Sequence, residues 1–206
     1  NINLDSNFND YIENIRIKNK KHAYEIHRTT IKYEKLKETS KNLKITIQDS
    51  DHDLIDFNKI AEEKKDQLFR KNINNKFDNN FKRVFKNLIQ LKRIKFYVIS
   101  LISEDKPLSR CFGFVYENTF YYYIPTVLSN SLANYKPGKI LILQIIQWCI
   151  NNNITKFDFG LGSEKYKKHF SNREISLHRY LESFSFKGSI LYFVMLIIFK
   201  IKRLWL

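Results

Sequence analysis

Apolar positions recur at helical intervals in the first part of the chain. Residues 7–38 begin with an apolar stripe and continue as an irregular, basic segment, which predicts one long and weakly amphipathic helix. Asn7, followed by Asp10 three residues later, has the spacing of a capping box at its start. Apolar residues return at helical spacing in residues 54–68 and, more regularly, in residues 78–93. We therefore predict three helices before residue 94.

Extended segments are predicted by alternation of apolar and polar residues, or by runs of β-branched and aromatic residues. Such segments lie at residues 43–47, 94–102, 108–116, 120–128, 155–159 and 175–186. Short polar turns separate the second, third and fourth of them, which predicts a three-stranded antiparallel meander. The last segment has room for one or two strands.

Three more helices complete the predicted order. Residues 139–151 are apolar on almost every side, as in a helix that is buried from both sides. A short helix follows from the N-cap Ser163 to Phe170, and an apolar helix fills residues 188–206. Because one helix separates the fourth predicted strand from the fifth, those two strands are expected to run parallel. The fold class is α+β: a mixed, mostly antiparallel sheet flanked by helices.

Composition and charge narrow the expected partners. The 36 Lys and Arg residues outnumber the 21 Asp and Glu residues, and the net charge of +15 attracts anions such as phosphates, nucleic acid or acidic membrane surfaces. Because the lysines are spread along the chain rather than clustered, nucleic acid is not an expected partner. Cys111 and Cys149 lie in apolar segments and form no disulfide framework, which indicates a reducing, cytoplasmic environment.

We divide the chain into an N-terminal helical segment (1–40), a central domain (41–187) and a C-terminal apolar helix (188–206). The last helix is too short to span a membrane easily. It either packs on the domain or lies in a membrane interface, with Trp205 and its basic residues at headgroup level. The second alternative would place the protein at the inner face of the membrane. The first residue is Asn1 rather than Met, which is compatible with a missing upstream domain.

The first segment with candidate functional residues is Tyr-Lys-Pro-Gly-Lys-Ile-Leu at residues 135–141, before the buried helix. The N–H groups at a helix N-terminus are unpaired and carry partial positive charge. Gly138 lets an anion approach the backbone, and Lys136 and Lys139 add charge. The segment has the features of a pyrophosphate site, although an ordinary helix start with proline uses the same residues.

The second segment is residues 157–170. It places Asp158 at the end of a strand and Glu164, Tyr166 and Lys167 on the first turn of the following helix. Open sheets bind ligands at strand ends beside a crossover, so these groups are candidates for acid–base chemistry. A glycine turn followed by a solvated helix face is the alternative interpretation.

The order and separation of these segments, with Trp148 between them, resemble the GNAT half of the CelD/BcsL-type acetyltransferases, which are relatives of the FemABX aminoacyltransferases. The resemblance covers about residues 7–184 and is most specific in residues 95–170. It implies a GNAT fold and acetyl-CoA or another acyl-CoA as co-substrate, with no metal. The acyl-CoA would lie in a V-shaped gap between the strand of residues 120–128 and the strand that holds Asp158.

The resemblance also implies which residues hold the cofactor. Backbone groups near Ile124 and Thr126 would pair with pantetheine and polarise the thioester carbonyl. Pro125 departs from the pattern because it has no N–H; it is either the bulge that splays the strands or a disturbance of pantetheine pairing. The pyrophosphate would meet the remaining cofactor-binding residues, Tyr135, Lys136, Gly138 and Lys139.

Direct transfer to an amine requires the amine to be neutral, so a base must take its proton. Asp158 is the first candidate, Glu164 the second, and His169 a rival. Tyr166 would protonate the departing thiolate, and Lys167 would hold an acidic acceptor or a CoA phosphate.

These features together predict an N-acyltransferase. It would move an acetyl group to an amine-bearing small molecule or lipid-linked acceptor, such as an amino sugar or a cell-surface polysaccharide precursor. Two alternatives stay open at this point. The chain could be a tRNA-dependent aminoacyltransferase of the FemABX type, or a non-catalytic basic module that binds membrane or nucleic acid.

Overall fold

A computed structural model describes most of the chain. The described residues are 2–4, 7–50, 55–73, 83–84, 87–88, 94–128, 132–176 and 182–204. Contacts within the chain form two compact units, Asn1–Glu174 and Ile175–Leu206.

The first unit is built on a six-stranded mixed sheet, which confirms the predicted α+β class. The strands are β1 (Ile2–Asn3), β2 (Lys44–Asp49), β3 (Lys95–Ser103), β4 (Lys106–Tyr116), β5 (Thr119–Val127) and β6 (Lys156–Asp158). Their spatial order is β1-β6-β5-β4-β3-β2. Strands β3, β4 and β5 form the predicted antiparallel meander, and β5 and β6 are the parallel pair.

Helices flank the sheet of this unit. They are α1 (Phe8–Lys18), α2 (Lys20–Thr39), α3 (Phe57–Phe69), α4 (Pro137–Asn151) and α5 (Lys165–Phe170), with a 3₁₀ turn at Ala133–Tyr135. The predicted single N-terminal helix is in fact two helices. Asn19 leaves the helical region (φ −158°, ψ 100°), and its side chain accepts bonds from the N–H groups of Lys21 and His22. Asparagine is a preferred N-cap, so it starts a second helix here.

The sheet has an apolar core on each face. One core contains eight buried residues of α4, together with Leu36 of α2 and Phe157 of β6. Helix α4 therefore lies between the sheet and α2, as its all-round apolar pattern predicts. The second core joins Phe57 and Ile60 of α3 to Phe112 and other sheet residues. The helix predicted at 78–93 lies almost wholly outside the described residues.

Strands β5 and β6 are paired only at the start of β5. The pairs are Thr119 with Lys156, Phe120 with Phe157, and Tyr121 with Asp158. Beyond Tyr121, β5 continues to Val127 without a strand partner on that side among the described residues. On its other side, β6 is covered by the antiparallel β1, which the sequence patterns did not predict.

The second unit contains the apolar helix α6 (Phe186–Leu204), which starts two residues earlier than predicted. Ser185 caps it by accepting a hydrogen bond from the Gly188 N–H at 3.1 Å. The described part of residues 175–186 contains no strand, and the rest of that predicted segment lies outside the described residues. A helix long and apolar enough to cross a membrane does not occur in the part of the chain that the structure describes.

Candidate active site at the open edge of strand β5

The hydrogen-bond alternation of β4 and β5 determines which backbone groups face the gap. The Leu128 N–H donates to the Leu108 carbonyl at 2.9 Å, so these two residues are a hydrogen-bonded pair. In an antiparallel ladder such pairs alternate with pairs that do not bond each other. The pairs of Ile124 and Thr126 with β4 therefore bond within the sheet, whereas the backbone groups of Pro125 and Val127 face the open edge. This does not support pantetheine pairing with the backbone of Ile124 and Thr126.

The same alternation shows on which side of β5 the N–H of Pro125 is missing. Its nitrogen faces away from β4, so the absence of an N–H removes no bond from the β4–β5 ladder. The irregularity of β5 lies two residues earlier: Phe112 pairs with Ile124 and Gly113 pairs with Tyr122, which leaves Tyr123 as the extra residue of a β-bulge. The bulge lies close to the point where β5 and β6 part.

Cationic side chains of α3 bind the open edge of β5. The Lys64 Nζ donates to the Pro125 carbonyl and, at 2.8 Å, to Gln67 Oε1. Arg70 donates to the Val127 carbonyl at 3.2 Å. The three α3 residues are spaced by three, so they lie on one side of the helix. Burial, the largest influence, lowers the pKa of Lys64 to about 8, and the charge of nearby Lys71 acts in the same direction.

Tyr166 of α5 is half-buried and close to the ring of Phe159, with the ring centroids 6.4 Å apart. Burial first, and then the charge of Glu164, raise its pKa to about 12. Burial also raises the pKa values of Cys111 and Tyr122, and electrostatic interactions with Cys111 and Tyr166 raise the pKa of Tyr122 further. Tyr166 therefore keeps its proton throughout the neutral range, as a proton donor must.

Asp158 lies at the last position of β6, where the two strands part. Its Oδ1 accepts a hydrogen bond from the Gly160 N–H at 2.6 Å, which closes a turn immediately after the strand. Gly160 has a positive φ of 68°, a conformation that favours glycine. The structure thus places the predicted carboxylate at the strand end, held by the glycine turn that the sequence indicated.

The side chains of Glu164 and Lys167 form an ion pair with each other. The buried Lys167 Nζ lies 2.8 Å from Glu164 Oε2 and donates to the Leu161 carbonyl at 2.6 Å. Burial, the largest single influence, acts to raise the pKa of Glu164, but the hydrogen bond from Lys167, a backbone hydrogen bond and the charges of Lys167 and Lys64 together lower it. Lys167 therefore closes the loop between β6 and α5, and Glu164 is held in its ionised form.

The loop before α4 has a tightly packed backbone. Lys136 adopts a left-handed conformation (φ 55°, ψ 59°), and Pro137 is the first helical residue. A Cβ at Gly138 would lie 3.0 Å from a methyl carbon of Val127, so glycine allows the helix to approach the end of β5. The Lys139 N–H already donates to the Lys136 carbonyl at 2.9 Å, while the Gly138 N–H has no partner among the described residues.

The side chain of Lys139 points away from this loop. Its Nζ lies 3.1 Å from Glu25 Oε2 and 3.3 Å from His169 Nδ1. The His169 ring also packs against His22, with centroids 5.6 Å apart. Burial and then Lys139 lower the pKa of His169. The predicted rival base is therefore part of a cluster with α2 residues.

A basic cavity that the sequence patterns did not predict adjoins Tyr135. Its volume is about 300 Å³, and it is lined by Arg28, Ile31, Lys32, Lys35, Asn134 and Tyr135. The Lys32 Nζ donates to the Asn134 carbonyl. Burial, followed by the charges of Lys136 and Arg28, lowers the pKa of Lys32. The cavity is suited to an anion, because it concentrates positive charge next to the predicted pyrophosphate loop.

Two sets of residues at this site escaped the sequence patterns, Lys64 with Arg70 and the cavity cations of α2. The available signal on α2 was the helical spacing of the cations Arg28, Lys32 and Lys35, whereas Lys64 and Arg70 are six residues apart with the neutral Gln67 between them. Lysine is too common in this chain for such spacing to stand out. In the described residues, no group of three or more His, Cys, Asp and Glu side chains is arranged to hold a metal ion.

Comparison with known protein families agrees with this geometry. The family described as "Acetyltransferase (GNAT) domain" matches residues 20–168, well over half of the chain. The match includes α2, the meander, α4, β6 and the beginning of α5. A search of curated proteins gives no significant match. The parted parallel strands, the buried helix and the family match lead to one conclusion: the chain belongs to the GNAT acetyltransferase family.

Proposed function

We propose that the protein is an N-acyltransferase that moves an acetyl or other short acyl group from acyl-CoA to an amine. Acyl transfer from acyl-CoA is the general chemistry of the family. The observation that carries the proposal is the parting of β5 and β6 after Tyr121 and Asp158. An extended thioester cofactor needs such a gap, with strand backbone on one side and acid–base groups on the other.

The cofactor would bind along β5 with its pyrophosphate at the start of α4. The unpartnered Gly138 N–H, with Tyr135 and Lys136 beside it, supports this orientation. The basic cavity of Arg28, Lys32 and Lys35 would then receive the 3′-phosphate end of CoA. Pantetheine would lie beside Pro125 and Val127, displacing Arg70 from the Val127 carbonyl while Lys64 keeps its bond to the Pro125 carbonyl.

Asp158 is the proposed base. It would accept a proton from the acceptor ammonium, directly or through water, and the neutral amine would attack the thioester carbonyl. The tetrahedral intermediate would then collapse, with the C–S bond breaking and Tyr166 donating its proton to the thiolate. The extra proton on the acceptor nitrogen would pass to the Tyr166 phenolate, directly or through water, which leaves a neutral amide. Glu164 is the weaker candidate, because Lys167 lowers the pKa of its carboxyl group and occupies one of its oxygens.

The chemical identity of the acceptor is a further part of the proposal. By resemblance to the CelD/BcsL-type enzymes, we propose an amino sugar or a cell-surface polysaccharide precursor. The apolar α6, which ends in basic residues, would suit peripheral contact with the inner face of a membrane and a lipid-linked acceptor.

Acetyl-CoA binding tests the proposal directly. We expect acetyl-CoA to raise the melting temperature of the protein, and 3′,5′-ADP, which lacks pantetheine, to raise it less. Labelled acetyl-CoA incubated with the protein and cell extract should give an acetylated amine that mass spectrometry identifies. Asp158→Asn should bind acetyl-CoA normally but transfer at least about 100-fold more slowly. Unchanged turnover in this variant would remove Asp158 as the base.

Other outcomes would support the other two functions. A protein that ignores acetyl-CoA but binds aminoacyl-tRNA would be an aminoacyltransferase. A protein that binds many polyanions, with affinity that collapses as salt increases, would be a basic binding module.

A further inference from the structure

Lys64 is a cation in the gap that has no acidic partner among the residues that the structure describes. Its Nζ donates to the Pro125 carbonyl, which faces the open edge of β5, so the ammonium lies beside the part of β5 that β6 does not pair. Both of its hydrogen-bond partners among the described residues, this carbonyl and Gln67 Oε1, are neutral. A lysine ammonium has three N–H donors, so one donor is available to a ligand.

The nearby acids are already engaged. Glu63, the neighbour of Lys64 on α3, forms an ion pair with Arg110 of β4, with its Oε2 at 2.6 Å from the arginine. Glu164, whose charge reaches Lys64, is bonded to Lys167. Burying an ammonium without a counter-ion is costly, and a neutral side chain could bind a carbonyl as well. No acid in the described part of the chain compensates this charge, and an anion from outside the chain would do so.

We propose that Lys64 anchors a carboxylate or phosphate group of the acceptor, so that the acceptor is an amine that also carries an acid. The inference rests on the proposed acyl transfer and adds the substrate class. Lys64 would be a specificity-determining residue: it would hold the acid on the α3 side of the gap while the amine faces the thioester. Arg70, on the same side of α3, would add to the positive field.

The charges around Lys64 agree with this role. Burial and the neighbouring Lys71 lower its pKa to about 8, and the opposing influences of Cys111 and Glu164 are smaller. A bound anion would restore the protonated form. The preference for acidic acceptors should consequently fade as the pH rises past about 8, because the ammonium is then lost. If Lys64 acted as a general base instead, the activity would rise with pH, because the neutral amine form would be the active one.

The experiment compares matched acceptors that differ by one negative charge. Acetyl-CoA turnover, measured as thiol release, is followed with alanine and alaninamide, and with glucosamine 6-phosphate and glucosamine. In at least one pair, we expect kcat/KM for the acid-bearing acceptor to be at least about tenfold higher than for its neutral counterpart. Lys64→Met should bring the ratio close to one, and Lys64→Arg should keep most of it. Lys65→Met, an exposed neighbour on α3, is the control and should match the wild type.

Three results would overturn the inference: equal use of both members of each pair, a preference that survives Lys64→Met, or loss of transfer to all acceptors in Lys64→Arg with an intact fold. The last result would make Lys64 a base. Acetyl-CoA binding, measured separately by calorimetry, judges the proposed function. If the protein binds acetyl-CoA but shows no preference for acidic acceptors, only the role of Lys64 is wrong. If it binds no acetyl-CoA, both the proposed acyl transfer and the role of Lys64 are wrong.

Discussion

Lys167 Nζ lies 2.8 Å from Glu164 Oε2 and 2.6 Å from the Leu161 carbonyl, so one buried ammonium closes the loop that follows Asp158. Lys167→Met would leave a carbonyl and a carboxylate without their shared donor. We expect a loss of about 1–3 kcal/mol in the free energy of unfolding, measured by urea denaturation. Lys165→Met, on the exposed side of α5, is the matched control. Equal stability of the two variants would show that Lys167 does not hold the loop.

Gly162 should tolerate substitution less well than Gly160. Both have positive φ angles, 111° and 68°, so alanine is strained at either position. A Cβ at Gly162 would also lie 2.5 Å from Glu164 Oε2, whereas a Cβ at Gly160 would meet nothing within 4 Å. We expect Gly160→Ala to cost about 1 kcal/mol and Gly162→Ala about 2–3 kcal/mol. Thermal unfolding of the pair provides the measurement, and the reverse order would contradict this loop geometry.

Tyr166 should make the protein sensitive to alkali. Folding raises its pKa from 10.0 to about 12, so the unfolded chain loses this proton first as the pH rises. The stabilising contribution is complete below pH 10 and is lost between about pH 10 and 12. Tyr166→Phe should therefore show a shallower fall in the free energy of unfolding over that interval. Tyr24→Phe, an exposed tyrosine of α2, is the control, and identical alkaline slopes in the two variants would refute the prediction.

The Glu25–Lys139 ion pair should stabilise the packing of α2 on α4. The hydrogen bond from Lys139 is the main influence that lowers the pKa of Glu25 below its usual value. The contribution is present above the unfolded pKa near 4.5 and disappears as the pH falls through the lower folded value. Glu25→Gln should cost about 1 kcal/mol at pH 7 and nothing in strong acid.

The comparison for that variant is Glu13→Gln, which removes an exposed pair with Arg16. We expect it to change stability by less than about 0.5 kcal/mol. A second readout is inorganic pyrophosphate, which Glu25→Gln should bind more tightly than wild type because Lys139 loses its carboxylate. Weaker pyrophosphate binding would place Lys139 outside the anion site.

The parts of the fold that depend on local pattern could be predicted from the sequence. The meander and the buried α4 follow from periodicity, because each is long enough for its pattern to be distinct. The break at Asn19 was missed because its flanking segments share one helical pattern and only the cap separates them. Strand β1 was missed because two residues carry no period, and its pairing with β6 is a long-range contact.

The candidate site was predictable to the extent that it lies in one continuous segment. Asp158, Glu164, Tyr166 and Lys167 are close in sequence, so their proximity follows from a turn and a short helix. Lys64 and the α2 cations reach the same region through tertiary packing, which one sequence does not reveal. The direction of a backbone group on β5 depends on register with β4 and on the bulge at Tyr123. Neither can be read from alternation alone.

The open edge of β5 has a consequence for association between chains. An unpaired strand edge usually invites a strand from another molecule and so promotes aggregation. Here Pro125 offers no donor to such a strand, and the Val127 carbonyl is already occupied by Arg70. The edge can admit a small, flexible molecule that displaces side chains one at a time, but it is a poor template for continuous pairing. Pro125 and Arg70 thereby protect the protein from joining its sheet to that of a neighbour.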